Sequence, residues 1–344
     1  MKLAVVLFNL GGPDSLEAVE PFLRNLFRDP AILSVPWFVR WLLARIIARR
    51  RAPFARDIYA KIGGSSPIVA ETRAQADALD KVLAEPGLDA KCFIAMRCWH
   101  PFSDGTALAV KAWGADRIVL LPLYPQFSTT TSASSLADWK RAARKAALQA
   151  PTSEICCYPD HPDFIAAAAE LIQAAFKARK PGVDYRLLLS AHGLPKRTIA
   201  KGDPYQWQVQ RTANAIVDAL GIKNLDWSVC YQSRVGPLEW IGPATDVEIR
   251  RAGADGKGAI VVPIAFVSEH SETLVELDIE YAHLAKVAGV ADYLRVPTVQ
   301  SHPRFIAALA DLVLQAARSQ DMINGTGGRL CPYNFKTCPM PESA

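Results

Sequence analysis

Residues 3–15 read Leu-Ala-Val-Val-Leu-Phe-Asn-Leu-Gly-Gly-Pro-Asp-Ser, an apolar run that passes straight into a glycine turn. A strand with one wet face alternates apolar and polar residues. A run without alternation is covered on both faces, as in a parallel sheet between helix layers. The same arrangement returns at 186–195, where Arg-Leu-Leu-Leu-Ser leads into Ala-His-Gly-Leu-Pro. Further short runs read as strands at Cys92–Cys98, Arg117–Tyr124, Glu154–Tyr158, Trp227–Tyr231, Ala259–Phe266 and Tyr293–Pro297. Helical patterns fall between them at Ser66–Leu83, Ser135–Leu148, Asp163–Lys177, Tyr205–Leu220, Glu272–Val287 and Phe305–Ala317.

That rhythm predicts an α/β chain with doubly wound parallel sheets. With 344 residues, two domains are expected rather than one core. We place an N-terminal domain over 1–152, a C-terminal domain over 153–320 and a tail over 321–344, the seam lying near Ala150–Ser153. Ligands of open α/β sheets bind beyond the carboxyl ends of the strands, so a cleft lined by such ends is where chemistry is expected.

Composition narrows the classes. Half the residues are apolar and 21% are charged, and the net charge is +5. Much of that excess sits in Arg40, Arg45, Arg49, Arg50, Arg51 and Arg56, within 17 residues. The remainder is nearly balanced, which argues against a nucleic-acid partner. Seven cysteines in a large chain suggest thiols or metal ligands rather than a disulfide scaffold. The opening apolar run lacks a small-residue cleavage site, so a buried strand and a cytoplasmic chain are expected.

Residues 35–51 break the pattern. Trp37, Phe38, Trp41, Leu42, Leu43, Ile46 and Ile47 are interleaved with arginines that do not gather on one helix face. The stretch is too short to span a bilayer. It suits either a headgroup-depth surface with snorkelling arginines or a core helix whose Arg stems reach solvent.

Two blocks carry chemistry. His192 follows a buried strand at once, where an imidazole faces the ligand crevice and can exchange a proton near neutral pH. Residues 262–281 run from another buried strand into a helix bearing Glu269, Glu272, Glu276 and Glu280, spaced +3, +4 and +4. On a regular helix these line one face and repel one another unless a cation relieves them. With His270 beside them they make a path of oxygen and nitrogen ligands for a hydrated divalent metal; the plain alternative is a solvated acidic face. Aromatic strand ends at 97–100, 124–128 and 231–240 suit a flat apolar ligand. The loop Gly11–Ser15 lacks both the GxGxxG and GK[ST] patterns, so a nucleotide-dependent enzyme is disfavoured. A ring carrier without chemistry would not need the acidic line.

Taken in order, FNLGGPDSLEAVEPFLRNLF, IYAKIGGSSPI, MRCWHPF, LYPQFSTTTSASSL, SAHGLP with GDPY, QSRVGPLEWIGP and VPIAFVSEHSETLVELDIEY resemble the ferrochelatase family from the first strand to about residue 281. The resemblance implies two flavodoxin-like, chelatase-type domains and a lyase that inserts Fe(II) into protoporphyrin IX with release of two protons. It implies a catalytic pair, His192 and Glu272, with His270, Glu276 and Glu280 also handling metal. Leu10, Arg51, Tyr59, Ser66, Arg97, Tyr124, Ser233, Trp240 and Phe266 fall where relatives bind porphyrin. Residues 35–51 correspond to an apolar lip resting on the cytoplasmic membrane surface. Monomers and homodimers both occur in the family. No cofactor is required, although some members hold a [2Fe–2S] cluster on four cysteines. Here Thr129 occupies the position of their upstream ligand, and Cys156, Cys157, Cys331 and Cys338 are the thiols left to offer. Cys98 stands where relatives often carry an aromatic.

Overall fold

The computed structural model describes residues 1–84, 87–234, 236–319 and 322–341. It divides into two compact units, one of Met1–Cys157 with Leu309–Arg329, the other of Tyr158–Ala308 with the segment from Leu330. The first unit runs β1 (Lys2–Asn9), α1 (Val19–Arg28), α2 (Trp37–Ala60), α3 (Ile68–Val82), β2 (Asp89–Met96), α4 (Ser103–Trp113), β3 (Arg117–Pro122), α5 (Ser132–Lys145) and β4 (Thr152–Glu154). The second runs α6 (Pro162–Lys177), β5 (Tyr185–His192), α7 (Lys196–Ala200), α8 (Tyr205–Leu220), β6 (Trp227–Gln232), α9 (Thr245–Ala254), β7 (Gly258–Pro263), α10 (Ser271–Leu274), a π-helical turn (Glu276–Tyr281), α11 (Ala282–Val287) and β8 (Tyr293–Arg295). The last helix, α12 (Pro303–Arg318), is divided between the units at Ala308.

Each unit holds a four-stranded sheet, in the orders β2-β1-β3-β4 and β6-β5-β7-β8. Every pairing is parallel. The unalternating runs are the interior strands: β1 beyond Lys2, β5 up to Ala191, and all of β7 are buried. Both sheets leave their first strand for one neighbour and then cross to the other side. Loops after β1 and β3, and after β5 and β7, therefore part in opposite directions and open a crevice at the strand ends.

The structure departs from the sequence reading in three places. The division falls after Cys157 rather than near 152, and residues 309–329 return to the first unit. The buried run Ile155–Tyr158 is not sheet: β4 ends at Glu154, and the chain beyond pairs with the returning segment, Ile323 N donating to Glu154 O and Cys156 N to Ile323 O. A buried backbone needs hydrogen-bond partners, but these need not be a strand of the same sheet. The helix predicted over 272–287 is interrupted by the π turn, where the Glu280 N–H reaches back five residues to Val275 O at 2.9 Å.

Helix α2 shows which side chains of residues 35–51 are buried. Its buried line is Ala44, Ala48, Ala52 and Tyr59. The three alanines, at spacings of four, let it lie close on Val19, Phe22, Leu23 and Phe27 of α1. The large residues point out: Trp37 is 74% exposed, Phe38 59%, Trp41 48% and Leu42 53%. Alanines make the core face, and the aromatics stay exposed.

Candidate active site

The second unit brings the predicted pair together. His192 is the last residue of β5, and Glu272 lies in the first turn after the β7 loop, so both stand at the loops that part at the crevice. His192 Nε2 is 3.5 Å from Glu272 Oε1, and His270 Nε2 is 3.5 Å from Glu272 Oε2. One carboxylate thus receives an imidazole at each oxygen. Phe266 sits against both histidines, with ring centroids 4.4 Å from His270 and 6.4 Å from His192. Trp240 packs where a side chain on Gly193 would be, 3.2 Å from that Cβ position. A bulkier residue after His192 would displace the indole.

Electrostatics make this an ion pair with a reachable surface. Partial burial works against the charged imidazole, but Glu272 and the Gly193 carbonyl, 2.6 Å from Nδ1, raise the His192 pKa to about 9. Burial likewise opposes the Glu272 anion, yet His192 and His270 hold its carboxyl well below the usual carboxylate range. The side chains remain 35% and 33% exposed, so solvent or substrate can reach both.

The acidic line does not extend as the spacing suggests. Glu269 precedes the helix and is buried in a pairing with Arg295 Nη1 at 2.6 Å. Glu276 accepts from Ser233 N at 2.8 Å, Tyr281 Oη at 2.9 Å, Gln232 Nε2 at 3.2 Å and the Ser233 hydroxyl. A carboxylate offers about four lone-pair sites, and all are taken. Burial raises its carboxyl pKa, the nearby Glu272 adding to this against the hold of Ser233. Glu280 is exposed, within the π turn itself. Ser233 is itself held at φ +63° by this clamp, which explains a strained non-glycine residue at the end of β6.

In the first unit, Leu10, Ser66 and Arg97 meet at the end of β1. Ser66 N donates to Pro13 O at 2.8 Å, Cys98 N to Leu10 O at 2.8 Å and Arg97 N to Asn9 O at 2.9 Å. Gly12 permits this, because a Cβ there would lie 2.5 Å from Ser66 Oγ. Arg97 is already engaged: Nη2 lies 3.0 Å from the buried Asp29, and Nε donates to Ser134 at 2.8 Å. Tyr59 and Cys98 belong to the cluster between α1 and α2, where burial pushes the Cys98 thiol up to about 12. Cys98 is core. Tyr124 follows β3, and burial pushes its phenol above the ordinary range. The Arg51 guanidinium lies 5.9 Å over the Phe27 ring.

Cys156, Cys157, Cys331 and Cys338 are all buried. Gln208 Nε2 donates to Cys331 Sγ at 3.1 Å. Sequence reasoning passed over Tyr205, whose hydroxyl donates to the His192 carbonyl at 3.0 Å, and Gln232. Both lay inside quoted motifs, but their contacts are tertiary and leave no periodic signal.

Paired parallel sheets with such a grouping at a strand-end crevice define a protein of the chelatase fold. SirB from Bacillus subtilis, solved with Fe3+, matches with a TM-score of 0.54 and 14% identity over 93% of this chain and 96% of that one. The sirohydrochlorin chelatase SirB from Bacillus subtilis subspecies spizizenii, in complex with cobalt, gives 0.55 and 12% over 92% and 96%. At these identities the likeness is of fold alone. The Ferrochelatase family model matches residues 2–317. Proteins named ferrochelatase are 53% identical in Phenylobacterium zucineum over 98% of both chains, and 51% identical in Caulobacter vibrioides over 100% of this chain and 99% of that one. The chain belongs to the ferrochelatase family. It is a metal-chelating lyase of haem biosynthesis, with iron and a porphyrin as substrates.

Proposed function

We propose that His192 and Glu272 carry the metallation step, Glu272 receiving the iron with His270 beside it and His192 taking the pyrrole protons. The observation that carries this reading is the half-open pair itself, 3.5 Å apart at two loops of one crevice. Two N–H protons leave the ring as the metal enters, which calls for a base that works near neutral pH. His192 rests protonated against the Glu272 anion. A divalent cation arriving at Glu272 shares that negative charge and loosens the His192 proton, which passes to solvent at the part-exposed imidazole, so metal approach precedes acceptance of each pyrrole proton. Oxygen and imidazole ligands release iron readily to the ring, where thiolates would retain it. The test is loss of porphyrin fluorescence on adding Fe(II) anaerobically: His192→Ala and Glu272→Gln each abolish it while porphyrin binding survives. Near-normal turnover in either variant refutes the assignment.

The outward aromatics of α2, with Arg45, Arg49, Arg50 and Arg51 among them, support a lip resting on the cytoplasmic membrane surface. No helix among the described residues is long and apolar enough to cross a membrane. A surface of this kind favours protoporphyrin over the four-carboxylate coproporphyrin, and the fluorescence assay run with both rings decides it. A [2Fe–2S] cluster would draw on Cys156, Cys157, Cys331 and Cys338. Visible absorption with iron and sulfide analysis of anaerobically purified protein tests for one.

A further inference from the structure

We infer that Gln232 is a positioning residue for the metallation step, fixing the separation of His192 and Glu272 without touching substrate. The inference rests on the His192–Glu272 reading and adds the device that sets their geometry.

Gln232 ends β6 in register with His192 on β5. Its backbone carbonyl accepts from Gly193 N at 2.8 Å, which holds the loop directly after His192. Its side chain is fully buried and spans to the other loop, Nε2 donating to the Glu272 carbonyl at 2.8 Å and to Glu276 Oε2 at 3.2 Å. Oε1 accepts from Ser190 Oγ at 2.9 Å, and Ser190 Oγ is also 2.9 Å from Thr245 Oγ1. The partners fix the orientation of the carboxamide. A carbonyl and a carboxylate, both acceptors, face one end, so only the NH2 group fits there. One residue therefore grips the His192 loop through its main chain and the Glu272 turn through its side chain.

The grip adds to the Ser233 and Tyr281 contacts on Glu276 and to the Thr273 capping box. Helix α10 is four residues long, too short to hold its own place, so the position of Glu272 depends on tertiary hydrogen bonds. A glutamate at 232 would set a carboxylate against Glu276, and an aliphatic side chain would leave the Glu272 carbonyl without this donor. A shift of about 1 Å in reacting groups can cost on the order of 10²-fold in rate.

The experiment measures kcat, KM and porphyrin affinity of full-length Gln232→Leu beside Thr212→Val. Thr212→Val removes a buried hydroxyl of α8 whose bonds go to Pro159 O and Gln208 O, apart from the pair. Gln232→Leu is expected to lower kcat about 10- to 100-fold, with KM for porphyrin within about twofold of wild type. Thr212→Val is expected to lose thermal stability while keeping kcat. Should kcat fall in both variants in proportion to Tm, or stay within twofold in Gln232→Leu, the inference is overturned. If Gln232→Leu does not fold, Ser190→Ala removes the donor to the carboxamide Oε1, together with the Ser190–Thr245 contact. A several-fold loss of kcat with unchanged KM then supports the inference, and unchanged kcat overturns it. Turnover surviving in His192→Ala would instead sink the underlying reading, so the two failures are distinguishable.

Discussion

The two sheets have the same strand order, but their ends differ in kind. At the end of β1 the charged group, Arg97, is locked against buried Asp29 and Ser134, and its surroundings are apolar. At the ends of β5 and β7 the charged groups are His192 and Glu272, paired with each other and still a third exposed. The same topology thus builds a rigid wall in one unit and a reactive pair in the other. Function on such a fold is set by the residues on the strand-end loops rather than by the sheet.

The largest effect that would break this contrast is on turnover. His192→Ala and Glu272→Gln are expected to cost about 10²- to 10⁴-fold in metallation rate, read by the anaerobic fluorescence assay. Asp29→Ala, by contrast, should act on stability. It leaves the Arg97 guanidinium without its carboxylate, a loss of about 3–5 kcal/mol for a buried pair, measurable by denaturant unfolding. If Asp29→Ala were thermodynamically silent, the wall would not be rigid in the way described.

Smaller effects separate the carboxylates. Glu276→Gln retains one acceptor oxygen and loses part of a four-donor clamp, so it is expected to lower Tm and reduce kcat by about tenfold or less. Glu280→Gln, on the exposed side of the π turn, should leave kcat within about twofold. A loss at Glu280 as large as at Glu272 would restore the long acidic line.

The smallest expected change concerns pH. The His192 pKa rises from 6.5 to about 9 on folding, so its pairing contributes stability fully below about pH 6.5, and that contribution is lost as pH rises through 9. The Glu272 carboxyl is lowered, so its contribution is present above its unfolded value of 4.5 and fades as pH falls below it. Unfolding curves should therefore lose stability between pH 6.5 and 9 in the wild type, with a flatter profile in Glu272→Gln. Equal slopes in the two proteins would show that the pair is not coupled.

Much of this was legible in the sequence. The unalternating runs at 3–10 and 186–190 announced buried parallel strands, because a strand between two helix layers has no wet face to mark. Tyr205–Leu220 was read to the residue, since a long amphipathic helix bounded by Pro204 and Gly221 carries its own limits. His192 was visible as a polar residue at the end of such a strand, and Glu272 as one in the helix start that follows another. The apolar, arginine-rich stretch 35–51 was visible as composition, although which side chains it turned outward was not. Alanines at 44, 48 and 52 are unremarkable until α1 lies against them.

Sequence by itself determined the two sheets and which strand ends would carry His192 and Glu272, because burial and periodicity are properties of short stretches. Tertiary structure alone decided which glutamates were free to act. Glu269, Glu272 and Glu276 are equivalent on a helical wheel, yet Arg295 takes the first and Ser233 and Tyr281 help take the third. Only Glu272 faces His192. The physical reason is that a carboxylate's availability depends on how many donors the fold brings to it from distant strands, and spacing along the chain holds no record of them.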